Sequence, residues 1–297
     1  MPTLREQYFN SIGKLKDKNR EIDFRILLAH VNKIKNLQDL YLKFDDEIID
    51  LDNYQELEKR YFDGEPIQYL TNEGYFCGDI FYVDPNVLIP RMETEEVVEY
   101  TIDKIDELFG KKSITVIDVC TGSGCIGIEI SKKSNVEKLI LSDINKNAIE
   151  VAKKNASMII PNQKTIFAVG NAMEPIEEYF KDADVIVANP PYILSKKEVD
   201  DLVLKNEPHE ALFTSGHLEV YSSILDGLKK CSKKPLLVVF ELGDEIKDSL
   251  ESLINKKIPH AKYEFKKDIN GKIRIVGIIL WLWEFLKRTN YTLLVSF

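Results

Sequence analysis

The stretch from Ile114 to Gly127 constrains this chain more than any other. Ile114-Thr115-Val116-Ile117-Asp118-Val119 is rich in β-branched side chains and reads as a buried strand. It runs directly into Cys120-Thr121-Gly122-Ser123-Gly124-Cys125-Ile126-Gly127, with a helix expected beyond. Gly122, Gly124 and Gly127 satisfy the G-x-G-x-x-G spacing, and an acid, Asp143, follows about 20 residues on at the end of the next expected strand. Strand, glycine loop, helix and acid together are a nucleotide-cofactor fingerprint: the glycines let the backbone approach a ligand, and the acid accepts hydrogen bonds from ribose hydroxyls. A dinucleotide would set its pyrophosphate over the helix N-terminus, where Asp118 would repel it. S-adenosylmethionine carries no phosphate, and its amine suits Asp118 directly or through water. The residues therefore favour the methyl donor, and the candidate residues for its site are Asp118, Cys120, Thr121, Gly122, Ser123, Gly124 and Asp143.

From this loop onward strand and helix alternate, the mark of a mostly parallel sheet covered by helices. The expected strands are Ile114–Val119, Lys138–Ser142, Thr165–Val169, Asp184–Ala188 and Leu236–Phe240. Ala261–Phe265 and Ile273–Leu280, joined through an Asn270-Gly271 turn, would close it as an antiparallel hairpin at the C-terminal edge. Upstream, residues 3 to 70 are helical in pattern. Ile22, Ile26, Leu27 and Val31 recur at helical spacing, as do Leu51, Tyr54, Leu57 and Tyr61, before Gly64-Glu65-Pro66 breaks the run. The expected architecture is α/β and Rossmann-like: a small helical domain over 1–72, a hairpin linker over 73–90 turning at Gly78-Asp79, and the sheet domain over 91–283. Thr94 is the expected cap of the helix that opens the sheet domain. Residues 284–297 form a tail with no assigned role.

At Asp184–Tyr192 the strand Val185-Ile186-Val187-Ala188 stops against Asn189-Pro190-Pro191-Tyr192. The prolines fix φ and donate no N–H, so the sheet ends in a stiff turn at the carboxyl end of a strand, where open α/β sheets bind ligands. An amide or exocyclic amine is a poor nucleophile because its lone pair is conjugated. An enzyme helps by aligning that nitrogen with the methyl group and accepting its two N–H bonds. Asn189 Oδ1 and the Pro190 carbonyl are the candidate acceptors, with Tyr192 packing on the acceptor plane and Pro191 stiffening the turn; Asn189 also borders the donor. Catalysis is then positioning and preorganised electrostatics. In Gly170-Asn171-Ala172, Asn171 and Ala172 would border the adenine. The histidines, His30, His209, His217 and His260, are dispersed and form no catalytic motif.

With 44% hydrophobic and 30% charged residues, the chain is expected to be soluble and globular. Its net charge of −9 lacks the basic footprint of general nucleic-acid binding. The four cysteines show no metal-ligand spacing, so no metal is expected. Met1–Asn10 has no apolar core of signal-peptide length, and Ile273–Leu286 is too short and interrupted to span a bilayer. A cytoplasmic monomer away from membranes is the expectation.

Asn-Pro-Pro-Tyr after a strand, with Asp-x-x-Thr-Gly-Ser-Gly upstream, resembles the amino-methyltransferases that use S-adenosylmethionine. Within them the chain is similar to the release-factor glutamine N5-methyltransferase (HemK/PrmC) family. The likeness covers about residues 20 to 280 and includes Arg25–Val31, Gly64–Leu70, Phe81–Glu95, Glu207-Pro208, Ala211-Leu212 and Glu241-Leu242-Gly243. The segments Ile-Pro-Arg-x-Glu-Thr-Glu and Gly-Glu-Pro-Ile-Gln-Tyr-Leu are more specific than Asn-Pro-Pro-Tyr, which adenine-N6 enzymes share. The resemblance implies a class I methyltransferase fold and an acceptor, the glutamine of the Gly-Gly-Gln motif in class 1 peptide-chain release factors. It implies that S-adenosylmethionine leaves as S-adenosylhomocysteine, that Asn189 and the Pro190 carbonyl hold the amide, and that the helical domain docks the release factor. The alternatives are an exocyclic-amine methyltransferase acting on DNA or RNA, for which neither charge nor domain size provides a groove, and a binding protein that has lost catalysis. The family's first loop glycine is Cys120 here, with a Cβ that would crowd the donor; Asn171, Ala172, Met92 and Glu245 also depart from the usual residues.

Overall fold

The computed structural model describes residues 1–193, 195, 197, 199–213, 218–231 and 235–281; His217 and the 284–297 tail lie outside the described residues. Two compact units are present. The first comprises Met1–Glu73 together with Asp200–Asn206. Its helices are α1 (Leu4–Ile12), α2 (Glu21–Val31), α3 (Asp39–Leu42), α4 (Leu51–Phe62) and α5 (Ile67–Thr71). Thr3 caps α1 with a capping box, its hydroxyl accepting from the Glu6 N–H while the Glu6 carboxylate accepts from the Thr3 N–H. Phe24, Leu27, Leu28 and Val31 of α2 pack with Tyr54, Leu57 and Tyr61 of α4. The buried face of α2 is thus rotated from the Ile22–Ile26 stripe expected from spacing, and Ile22 is exposed. Both stripes have helical period; Phe24 wins because its ring meets Tyr61 edge-on at 4.9 Å. A distant segment, α9 (Asp201–Asn206), joins this unit, where the Asn206 amide donates to the Gly64 carbonyl at 2.8 Å.

The second unit, Gly74–Val199 and the chain from Glu207 onward, opens on a two-stranded ribbon of β1 (Glu73–Phe76) and β2 (Asp79–Tyr82). Its turn is Cys77-Gly78 and not the expected Gly78-Asp79: both residues have positive φ, 51° and 89°, as a type I′ hairpin turn requires. After α6 (Met92–Phe109) come β3 (Ile114–Val119), α7 (Cys125–Lys133), β4 (Val136–Asp143), α8 (Lys146–Ile159), β5 (Thr165–Val169) and β6 (Val185–Ala188). The chain continues through α10 (His209–Leu212), α11 (Glu219–Gly227), β7 (Leu236–Glu241), α12 (Lys247–Lys257), β8 (Lys262–Lys267) and β9 (Ile273–Leu280). Thr94 is not the cap of α6; Arg91 holds that position without a side-chain bond, and Thr94 is buried inside the first turn.

The sheet order is β5-β4-β3-β6-β7-β9-β8. β5 through β7 run parallel, and β9 pairs antiparallel with both β7 and β8. Every residue of β3, β6 and β7 is buried, as expected for strands covered on both faces. One apolar layer gathers Ile117, Ile186, Val238 and Tyr221 under α11 and α12; the other gathers Val116, Val187, Val239 and Val97 under α6 and α7. Among the described residues no helix is long and apolar enough to cross a membrane.

Asn155 of α8 joins the ribbon to the glycine loop. Its Oδ1 accepts from the Tyr82 N–H at 2.7 Å, and its Nδ2 donates to the Tyr82 carbonyl at 3.0 Å and the Ser123 carbonyl at 2.8 Å. The side chain is fully buried, so Asn155→Ala should cost about 2–4 kcal/mol of unfolding free energy in urea titration. A loss below about 0.5 kcal/mol would show that the linkage is dispensable.

Candidate active site

β3 is the switch point of the sheet: the chain winds outward to β4 and β5 on one side and returns to β6 and β7 on the other. Ligands of open α/β sheets bind at the carboxyl ends of the strands at such a point. Val119 at the end of β3 pairs with Ala188 at the end of β6, so the loop that begins at Cys120 and the turn that begins at Asn189 leave the sheet as neighbours. A cleft of about 620 Å³ opens there. That volume suits a small-molecule site.

Cys120, Thr121, Gly122, Ser123, Asp143, Asn171, Ala172, Asn189 and Pro191 line this cleft. Asp143 organises the glycine-loop side of the cleft. Its Oδ2 accepts the Gly122 N–H and its Oδ1 the Asn145 N–H, each at 2.9 Å, while its carbonyl accepts the Gly170 N–H. Burial raises its pKa, and the backbone N–H bonds oppose that rise. Gly122 has φ of 54°, and a Cβ there would meet nothing within 4 Å, so its backbone is left bare toward open space. Gly124 serves packing instead: a Cβ would fall 2.9 Å from Ile128 and 3.3 Å from Ala152. Cys120 has φ of 60°, the left-handed region, where the strain on a residue with a Cβ is roughly 1–2 kcal/mol.

Asp118 lies behind the loop, fully buried, rather than on the cleft wall. Its Oδ2 accepts from the Thr121 hydroxyl at 2.6 Å and the Gly127 N–H at 3.0 Å, and its Oδ1 has no hydrogen-bond partner among the described residues. Burial pushes its carboxyl up to about 7, against the two hydrogen bonds and aided by Asp143. The unpartnered oxygen beneath the loop and the bare Gly122 backbone suit a ligand carrying a positive amine.

On the side of the β6 turn, the Asn189 side-chain amide makes no hydrogen bond among the described residues and is half-buried at the cleft wall. Pro190 and Tyr192 do not line the cleft: Pro190 is buried, and the Tyr192 hydroxyl accepts from Arg274 Nη1 at 3.1 Å. Sequence reasoning gave no site role to Asn86, Arg91, Thr94, Glu210, Phe213 or Val220, which also line the wall. Two resemblance segments meet there: Arg91 Nη2 donates to Glu207 Oε1 at 2.5 Å, and the Ile89 N–H donates to Oε2 at 3.3 Å. Only their shared likeness to one family marked them, since they lie over a hundred residues apart.

The raised Asp118 carboxyl gives a sign to stability. A carboxyl whose pKa is raised on folding stabilises the fold fully below its unfolded value near 4, and that contribution is lost as pH rises through about 7. Without donor, the stability of the wild type relative to Asp118→Asn should fall between pH 5 and pH 8, by about 2–3 kcal/mol in paired urea titrations. A difference that does not change with pH would contradict this.

Residues 70–227 match the family model described as Methyltransferase small domain, and residues 6–71 match PrmC N-terminal domain. A release factor glutamine methyltransferase of Bacillus cereus is 33% identical over 256 residues, covering 84% of this chain and 89% of its own length. That of Leptospira interrogans is 36% identical over 263 residues, covering 86% and 89%. Among solved structures, the hMettl16 catalytic domain in complex with the MAT2A 3'UTR hairpin 6 shares the fold, with a TM-score of 0.52 at 15% identity over 67% of this chain and 74% of that one. A methyltransferase sheet, two matched family domains and relatives similar over most of their length agree: the chain belongs to the release factor glutamine methyltransferase family.

Proposed function

We propose that this protein transfers a methyl group from S-adenosylmethionine to the side-chain amide nitrogen of the glutamine in a release factor's Gly-Gly-Gln motif. The observation that carries the reading is the adjacency, at the ends of paired strands, of the glycine loop and the Asn189 turn on one cleft, in a chain of this family. The donor supplies an electrophilic methyl on a sulfonium. Asp143 accepts from the ribose hydroxyls while its two backbone bonds keep it oriented. Asp118 braces Thr121 and α7 from behind and places negative potential beneath the loop, where the donor's amine is held. Asn171 and Ala172 border the adenine from the cleft wall.

Asn189 Oδ1, on the cleft wall, accepts an N–H bond of the glutamine amide, fixing its nitrogen toward the methyl. The proline-locked turn holds this acceptor in place before substrate arrives, so little reorganisation accompanies transfer. No strong base is required, because the nitrogen becomes acidic once methyl transfer begins and its proton passes to water. The helical unit docks the release factor, which presents the glutamine as part of a folded protein.

Purified protein, labelled methyl donor and release factor test this together with a factor carrying Gly-Gly-Gln→Gly-Gly-Ala. Label should enter the first factor and not the second; label in neither, or in nucleic acid instead, would overturn the reading. Asn189→Ala should lower turnover by roughly a hundredfold or more while calorimetry finds donor affinity nearly unchanged. Asp143→Ala should do the reverse, weakening donor binding about tenfold or more. Collapse of donor affinity in Asn189→Ala would refute this division of roles.

A further inference from the structure

Tyr192 belongs to the clamp motif yet stands off the cleft wall, and what it touches is a buried polar network. Its hydroxyl accepts from Arg274 Nη1 at 3.1 Å and reaches Glu241 Oε1 at 3.5 Å. Its ring lies against the backbone of Gly243, where a Cβ would fall 2.9 Å from Cδ2 and 3.3 Å from Cε2. Arg274 is itself held by Asp268 Oδ2 at 3.2 Å, and the Asp268 carboxylate is buried.

Glu241 is the centre of this network. It ends β7 one residue past the Ala188–Phe240 pair, at the end of the sheet from which Asn189 leaves β6. It is 2% exposed, and its Oε2 has no hydrogen-bond partner among the described residues. Thr94, on the cleft wall in the first turn of α6, also acts on its carboxyl. A buried carboxyl with an unsatisfied oxygen destabilises a fold that a well-packed apolar residue would serve better. Its position, joining β7, β9, α6 and the clamp turn, supplies a reason for retaining it.

We propose that Glu241, together with Arg274, is a positioning residue for methyl transfer. It touches neither substrate. It pins Tyr192, and because Pro190 and Pro191 fix the intervening backbone, pinning one end of the turn sets the direction of Asn189 at the other. The inference rests on the reading of Asn189 as the amide clamp.

Glu241→Gln and Tyr192→Phe separate this role from a merely structural one. Each should lower kcat roughly ten- to a hundredfold while donor Kd and the KM for release factor stay within about twofold. Combined, they should lower kcat no further than the more damaging single change, because both break one linkage. Gly243→Ala, whose methyl would meet the ring and the Glu245 carboxylate, should give the same split between kcat and KM. Tyr192→Phe removes only a hydroxyl and keeps the test decisive if Glu241→Gln does not fold. Single variants with kcat within about twofold of wild type, or effects that multiply in the double variant, would overturn the inference while normal wild-type labelling leaves the functional reading intact. A wild type that labels no release factor would overturn the functional reading, and this inference with it.

Discussion

The parallel ladder between β3 and β6 is the interaction on which the site depends. Pairing Val119 with Ala188 brings together two turns some seventy residues apart in the chain, one a glycine loop and one a proline-locked turn. Neither turn is sufficient alone. A glycine loop over a helix is a general nucleotide site, and a strand stopped by two prolines is a general chain terminator. Their adjacency follows from the order β4-β3-β6, in which the chain leaves β3 in one direction and returns on the other side. The strand residues that enforce this order, Val116, Ile117, Val185, Ile186 and Val187, are fully buried, so the geometry is set by the most protected part of the fold.

Buried carboxyls hold the loops that leave this ladder. Asp143 binds two backbone N–H groups, Asp118 binds a hydroxyl and a helix N–H, and Glu241 faces Tyr192, Thr94 and the charge of Arg274. Each is costly to ionise where it lies; burial pushes both Asp118 and Glu241 up to about 7. Asp118 and Glu241 each keep one oxygen without a partner among the described residues. Such groups destabilise an empty protein and are more useful where they orient a backbone or attract a cation. The neighbourhood of the cleft therefore concentrates polar cost where chemistry requires direction, while the strands beneath remain apolar.

Much of this was legible in the sequence because it was written in short-range patterns. Strand positions followed from β-branched runs, with β3, β5 and β9 falling on the expected residues. The glycine loop and the proline-locked turn were visible because glycine and proline have distinct backbone chemistry. What was not legible is tertiary. The face that α2 buries depended on a ring contact with Tyr61, and the turn at Cys77-Gly78 on a left-handed cysteine that propensity disfavours. Thr94 has the composition of a cap, but the backbone enters the helix three residues earlier, at Arg91, and Thr94 is buried in the first turn. Asn155, the Arg91–Glu207 pair and the return of Asp200–Asn206 to the helical unit all join residues far apart in the chain, where periodicity carries no signal.

The central claim is that a donor and a glutamine amide meet in one cleft, the first over Gly122 and Asp143 and the second at Asn189. A crystal structure with S-adenosylhomocysteine and a Gly-Gly-Gln peptide tests it most directly. The account predicts ribose hydroxyls on Asp143 and the glutamine amide donating to Asn189 Oδ1, with its nitrogen facing the sulfur. A glutamine bound elsewhere, or an Asn189 amide turned away from it, would contradict the account.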